Sequence, residues 1–282
     1  MAEYPEIRLG DKLIRKIAIG DISSAWDFKK PATQSAEVTA FLSATGITNP
    51  TYIDALNYLW SGLEAEGVTD KLYALYPFVG GNATAHSYNL INVAQYLISF
   101  SGTWVHDTNG ITGNGINTYA NTGFSPRDSV SGFAGNGSLA IYSRTNGSGD
   151  WYDFGSFTTG NQQTALGAKY STGNAFFLSW PVDVQVANAD SRGLFVGNSL
   201  AGTAPQGIWK NGAQIATNTT VAVNAVSRKA LYIGANNGST GLYSIAARNY
   251  SLAFIGQGLT SDQLTNMYAV VQGYQSILSR QV

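Results

Sequence analysis

The sequence predicts a mainly β protein, an antiparallel sandwich or barrel, with a helical segment before it, an N-terminal β arm and a C-terminal helix. Its 32 glycines and 12% aromatic residues among 282 are typical of short strands joined by tight turns. Asn-Gly pairs, which favour hairpin turns, recur along the chain. They begin at Asn109, Asn114, Asn136, Asn146, Asn211 and Asn237.

Composition excludes several classes of function. A net charge of −1 gives no field that would attract nucleic acid or an anionic membrane, so neither is expected as a partner. The absence of cysteine excludes disulfides, thiol catalysis and thiolate metal sites. The 44% of hydrophobic residues argues against disorder. We find no apolar run long enough to span a membrane, and no secretory signal in the first residues.

The first 32 residues contain an internal repeat and form the predicted β arm. Ile7-Arg8-Leu9-Gly10-Asp11 recurs as Ile17-Ala18-Ile19-Gly20-Asp21. Two short strands cannot bury a face alone, which leaves two alternatives: an edge hairpin on its own domain, or an arm that adds strands to a neighbouring subunit. The candidate docking residues are Ile7, Leu9, Leu13, Ile17 and Ile19.

Residues 33–80 are predicted to be helical. Ser35 is a candidate cap of a first helix, and Asn49 followed by Pro50 is typical of the start of a second. Thr69 precedes a third apolar stretch that includes Leu72 and Leu75 and ends at Pro77. The aromatic side chains in these stripes are expected to be core residues.

Residues 81–282 are predicted to form the sandwich, and the pair Thr260 and Gln263 predicts a capping box at the start of the last helix. The β-rich runs between the turns are the predicted strands. They span residues 96–105, 139–143, 175–180, 182–186, 231–234 and 250–255.

Four motifs in this region give the sandwich a family resemblance. The hairpin Trp209–Ile215, the run Leu231–Ala235, the strands of Tyr243–Ile255 and the helix entry Gly258–Gln263 follow one another in order. In this order they resemble the concanavalin A-like jelly rolls of the laminin G and glucanase superfamily, over about residues 95–282. The resemblance implies that the sandwich is a jelly roll.

A narrower resemblance is to jelly-roll proteins of tailed-phage particles. It is carried by Tyr76–Gly81, Tyr142–Thr145 and the final Leu278–Val282. It implies a virion component made in the host cytoplasm, with an attachment arm that contacts copies of itself and other virion proteins.

The sandwich lacks the carboxylates of the resembling glucanases, which use a Glu-x-Asp-x-x-Glu arrangement. No glutamate follows Glu66, and Asp150 and Asp153 have an odd separation that places them on opposite faces of an extended strand. His106 and His86 are the two histidines, and a hydrogen-bonding role near a turn is favoured for His106 over a Ser-His-Asp site. We therefore expect a protein that is not an enzyme and has no catalytic residue.

Carbohydrate binding is the remaining activity with a physical mechanism, because aromatic rings stack on sugar faces and polar side chains bond sugar hydroxyls. The candidate residues are Trp104, Tyr142, Arg144, Asn146 and Trp151. No cofactor is expected, although a calcium site built from Asp150, Asp153 and Asn146 is left open.

These observations lead to one primary hypothesis and two alternatives. The primary hypothesis is a non-enzymatic virion structural protein of the capsid surface, neck or tail, homo-oligomeric, with a lectin-like outer domain. The first alternative is a carbohydrate-binding module that recognises cell-surface glycans. The second is a glycoside hydrolase with an unusual aspartate pair.

Overall fold

The computed structural model describes residues 7–9, 12–14, 34–158, 162–179, 182–200, 206–219 and 226–282. The chain divides into two units, residues 1–34 and residues 35–282. In the first unit, β1 (Ile7–Leu9) and β2 (Lys12–Ile14) pair antiparallel, with Ile7 opposite Ile14. The second repeat, with Ile17 and Ile19, lies outside the described residues.

The second unit contains four α-helices among its described residues: α1 (Ala36–Thr45), α2 (Pro50–Ala65), α3 (Ala83–Ser87) and α4 (Ser261–Ile277). The strands of its two sheets run through the rest of the unit. They are β3 (Leu72–Tyr76), β4 (Ser99–Ser101), β5 (Val105–Asp107), β6 (Gly110–Thr112), β7 (Tyr119–Asn121), β8 (Gly137–Ser143), β9 (Phe154–Thr158), β10 (Gln162–Gly167), β11 (Asn174–Ser179), β12 (Val182–Ala187), β13 (Gly193–Ser199), β14 (Gln206–Lys210), β15 (Ala213–Asn218), β16 (Tyr232–Ile233), β17 (Asn236–Asn237), β18 (Leu242–Tyr243) and β19 (Asn249–Gly256).

Two sheets, almost entirely antiparallel, form a β-sandwich, which confirms the predicted fold class. The inner sheet has the order β15-β14-β13-β8-β19-β6-β5, and β3 also pairs with β19. The outer sheet has the order β12-β11-β10-β9-β16-β7-β4; β17 also pairs with β9, and β18 pairs with β17. Among the described residues, none of the helices combines the length and the apolar character that a membrane span needs.

The middle strands of the inner sheet are buried on both faces. Leu139 and Ile141 of β8 point into a core between the sheets, whereas Ala140 and Tyr142 point into a second core against the helices. Alternate side chains of a strand lie on opposite faces, so a strand between two cores has no polar face. All of β8 is accordingly buried.

The predicted helix boundaries are confirmed where capping residues define them. The side chain of Ser35 accepts a hydrogen bond from the Val38 amide, and that of Asn49 accepts one from the Thr51 amide. Thr260 and Gln263 form the reciprocal capping box of α4.

The prediction of a third helix after Thr69 is wrong. Residues 69–71 form one 3₁₀ turn, and Leu72–Tyr76 is a strand, β3, that pairs with β19. Its side chains alternate between the two cores, Tyr76 toward the first and Leu75 toward the second. The free side of β19 supplies backbone partners for this segment, and an apolar run of this length suits a strand as well as a helix.

Candidate functional site

The face of the outer sheet that points away from the inner sheet, here called the open face, carries a groove of about 340 Å³. Phe176 and Leu178 of β11 lie on it because their neighbours Ala175 and Phe177 point into the core. The strand register sets Phe176 opposite Gln185 and Leu178 opposite Asp183. The lining residues are Tyr152, Gln163, Tyr170, Thr172, Phe176, Leu178, Asp183 and Gln185.

Three aromatic rings form one wall of the groove. The ring centroids of Tyr152 and Phe176 are 4.8 Å apart, and Tyr170 lies 6.0 Å from Phe176 and 6.1 Å from Tyr152. Gly167 faces Phe176 across the ladder, and a Cβ atom there would collide with the Phe176 ring. The glycine therefore lets this ring lie flat over β10.

Polar side chains line the rest of the groove. Gln185 Nε2 donates to Asp183 Oδ2 at 2.6 Å, and Asn174 Nδ2 donates to Gln185 Oε1 at 3.4 Å. Burial raises the pKa of Tyr152, although a hydrogen bond with Gln163 works in the opposite direction. Burial, with the nearby charge of Asp150, also raises the pKa of Tyr170. Both phenols thus stay protonated at neutral pH and can donate hydrogen bonds.

A buried ion pair fixes the loop that brings Tyr152 to the groove. Asp153 is fully buried, 2.7 Å from Arg248 Nε, and accepts hydrogen bonds from the Tyr250 hydroxyl and the Ala168 amide. Arg248 in turn donates to the carbonyl oxygens of Thr145 and Gly147 at 2.9 Å and 3.1 Å. Both ends of the loop are therefore tied to one guanidinium–carboxylate pair.

The sequence-predicted sugar-binding residues are engaged with different partners. Tyr142 is fully buried, and its hydroxyl donates to Gln272 Oε1 at 2.8 Å, so its ring does not reach the surface. Arg144 Nε donates to the Arg280 carbonyl at 2.7 Å, and the Trp104 indole donates to the Tyr119 carbonyl at 3.3 Å. None of these three lines the groove.

Asn146 and Trp151 belong to the loop beside the groove. The Asn146 side chain accepts a hydrogen bond from the Ser191 amide at 3.2 Å. The half-buried Trp151 ring lies 5.2 Å below the Arg248 guanidinium, a cation–π contact. Trp151 thus helps to hold the loop, while its neighbour Tyr152 supplies the ring in the groove.

The sequence contains a signal for some of the groove residues, although none of them is among the predicted sugar-binding residues. Both predicted strands at 175–180 and 182–186 alternate, and their outward positions hold Phe176, Leu178 and Asp183. Outward aromatic and carboxylate residues on neighbouring strands predict a shared surface. Tyr152 and Tyr170 lie on connecting segments, so their approach to this surface depends on the loops.

The candidate calcium ligands do not converge. Asp153 is paired with Arg248, Asp150 accepts a hydrogen bond from Ser171, and Asn146 bonds Ser191. The parts of the chain that the structure describes contain no group of three or more His, Cys, Asp or Glu side chains that could hold a metal. Each of the three side chains thus has a different partner in the structure.

The two histidines contact each other away from the groove. His86 Nδ1 and His106 Nδ1 are 3.0 Å apart, so one ring must donate and the other accept. Burial, reinforced by the charges of His106 and Arg280, lowers the pKa of His86 to about 3. Burial also lowers the pKa of His106, against the opposite effect of Asp107.

Comparison with known proteins finds similar folds among solved structures. No family model matches the chain, and no curated protein is significantly similar to it. Two structures of Trypanosoma rangeli sialidase, one with sialic acid and one with 2-keto-3-deoxy-D-glycero-D-galacto-2,3-difluoro-nononic acid, are each 10% identical with TM-scores of 0.50. The matches cover 71% and 77% of this chain but only 33% and 39% of the sialidase chains.

A third similar structure is domain 4 of AbnA, a GH43 extracellular arabinanase from Geobacillus stearothermophilus, in complex with arabinotriose. It is 14% identical, with a TM-score of 0.47, and the match covers 70% of this chain and 98% of that one. The prediction that this chain is not an enzyme is contradicted, since the sialidases that share its fold are enzymes and the fold therefore does not exclude catalysis. The structures provide no link to phage particles.

Proposed function

We propose that the second unit binds carbohydrate in the groove of the open face. The observation that carries this proposal is the wall of three aromatic rings facing Asp183, Gln185 and Gln163 across one sheet surface. A pyranose or furanose ring has an apolar C–H face that packs on an aromatic ring, and its hydroxyls bond amides and carboxylates. The similarity to sialidases is a similarity of fold, so the choice of ligand rests on these side chains.

The groove is largely pre-formed, which favours binding. Its floor is made of paired strands, and its loop residue Tyr152 adjoins the buried Asp153–Arg248 pair. A volume of about 340 Å³ is at the lower end for small-ligand sites, which suits a short segment of a glycan. The backbone of the groove floor is therefore already ordered before a sugar binds.

Replacing Tyr170 by alanine is expected to weaken glycan binding about tenfold, equivalent to about 1.4 kcal/mol, because one stacking surface is removed. Asp183→Asn, which retains the shape but removes the charge, is expected to have a smaller effect. A glycan array identifies a ligand for the wild-type protein, and calorimetry then compares the variants.

The matched control is Ile116→Ala, since Ile116 is 77% exposed and does not line the groove. Unchanged affinity in the Tyr170 variant would contradict the site, and absence of any bound glycan would contradict the function. Asp150 and Asp183 are the carboxylates beside the aromatic wall, and they are the candidates for a hydrolytic role. Release of reducing sugar from the bound glycan is therefore compared between the wild-type protein and the variants Asp150→Asn and Asp183→Asn.

A second candidate function is attachment to a virion through the first unit. The antiparallel pair of β1 and β2 in a unit separate from residues 35–282 favours it. In this proposal Ile7, Leu9, Leu13, Ile17 and Ile19 add strands to copies of the chain or to other virion proteins.

Deleting residues 1–30 is expected to leave the thermal midpoint of the second unit within a few degrees of the intact protein. The physical reason is that both buried clusters, among the described residues, are built from Val38 onward. Sedimentation of intact and shortened protein measures assembly. Equal assembly of the two would contradict the docking role of the arm.

A further inference from the structure

The open face carries a second pocket, of about 360 Å³, toward the other edge of the outer sheet. Tyr119 of β7 and Tyr232 of β16 lie on this face because their neighbours Ala120 and Ile233 point into the core. The hairpin tip Gly238–Gly241, between β17 and β18, forms the opposite wall. None of these residues lines the first groove.

The two tyrosine rings stack on each other, and this stacked pair is called the platform here. Their ring centroids are 4.7 Å apart and the rings are inclined by only 13°. In the register, Tyr232 faces Asn121, so Tyr119 is its diagonal neighbour, close enough for aromatic rings to stack. The Trp104 indole also donates to the Tyr119 carbonyl, which holds this strand from the other side.

Lys229 is the one charged side chain among the residues that line this pocket. Its ammonium group donates to the Gly238 carbonyl oxygen, and two of its three hydrogen-bond donors remain for a ligand. The hairpin that supplies this carbonyl is itself fixed, because Asn237 Nδ2 donates to the Ala230 carbonyl at 2.9 Å. The ammonium group of Lys229 is thus held beside the platform.

We propose that this pocket is a second subsite that binds a carboxylated sugar unit of an acidic saccharide; the inference rests on the proposed carbohydrate binding. The platform would receive the sugar face, Lys229 the carboxylate, and Ser239 and Thr240 the hydroxyls. Asp183 lines the first groove and the charge of Asp150 acts on Tyr170 of its wall, so both carboxylates repel an acidic unit there.

The two sites lie on one surface, and the strands between them set their separation. From β11, the central strand of the groove, three steps through β10 and β9 lead to β16. Neighbouring strands are about 4.8 Å apart, so the centres of the two sites are about 14 Å apart across the sheet. An oligosaccharide of several units laid across the strands would reach both, with its acidic unit at Lys229.

The test compares uronic-acid oligosaccharides with the same oligosaccharides after carboxyl reduction. The wild-type protein is expected to bind the uronate form at least fivefold more tightly, and added salt should weaken only that form. Lys229→Gln should abolish the preference, Lys229→Arg should retain it, and Lys71→Gln, outside the pocket, is the matched control. Tyr170→Ala should weaken binding of both forms.

The outcomes separate the two proposals. Equal binding of both forms, unaffected by Lys229→Gln and by salt, would overturn the acidic subsite and leave the groove standing. Failure of the wild-type protein to bind any saccharide on an array of neutral and acidic glycans would overturn both. Because the salt dependence is measured on the wild-type protein, the test does not depend on the folding of a variant.

Discussion

Replacement of Arg248 by methionine is expected to lower the free energy of unfolding by about 3–5 kcal/mol. The Asp153 carboxylate would then be buried without its cation, since both side chains are 0% exposed and 2.7 Å apart. The remaining donors, the Tyr250 hydroxyl and the Ala168 amide, are neutral and compensate only part of the charge. Urea denaturation followed by tryptophan fluorescence measures the effect.

Arg228→Met is the matched control, because Arg228 pairs with Asp128 at a similar distance but the two side chains are 53% and 48% exposed. An exposed pair contributes about 0–1 kcal/mol, so this variant is expected to be close to wild type. Similar losses in the two variants would contradict a special role for the buried pair. Arg248→Met should also weaken glycan binding, since the loop that ends at Tyr152 loses its anchor.

The free energy of unfolding is expected to fall by about 2 kcal/mol between pH 8 and pH 5. His86 and His106 are the only histidines in the sequence, and burial lowers the pKa of His86 from 6.5 to about 3. The unfolded chain therefore takes up a proton below pH 6.5 that the folded chain does not. The part of the free energy of unfolding that depends on neutral His86 is fully present above pH 6.5 and is lost progressively as the pH falls toward 3.

The groups that face His86 are His106 and the positive charge of Arg280, and Asp107 acts on His106. His86→Leu should flatten the profile between pH 8 and pH 5, whereas His106→Leu should keep most of the slope, because burial is the largest cause of the His86 shift. Chemical denaturation at each pH measures the profile. A constant free energy of unfolding over this range would show that His86 ionises normally in the fold.

Local sequence is sufficient to predict the structure wherever the hydrogen bonds of the backbone join residues only a few positions apart. Asn49 with Pro50 and Thr260 with Gln263 begin helices in the structure as predicted. The Asn211–Gly212 turn joins β14 and β15 with both φ angles positive, 51° and 77°. These interactions span four residues or fewer, so flanking residues determine them.

Segments whose partners are distant in sequence were predicted less well. Leu72–Tyr76 is a strand because it pairs with the part of β19, some 180 residues later, that β6 leaves unpaired. Tyr142 is a second example, since the sequence places it among the candidate sugar-binding residues. The helical layer covers the face of β8 on which Tyr142 lies, so the Tyr142 ring is part of the buried core.

The sequence by itself determined a β-sandwich with capped helices, and it excluded disulfide chemistry and long-range attraction to nucleic acid. The tertiary structure decided which aromatic residues reach the surface. Tyr152, Tyr170 and Phe176 meet because strand register and the Asp153–Arg248 pair bring together segments that are far apart in the chain. Register depends on the summed burial of two whole sheets, a quantity that no short stretch of sequence carries.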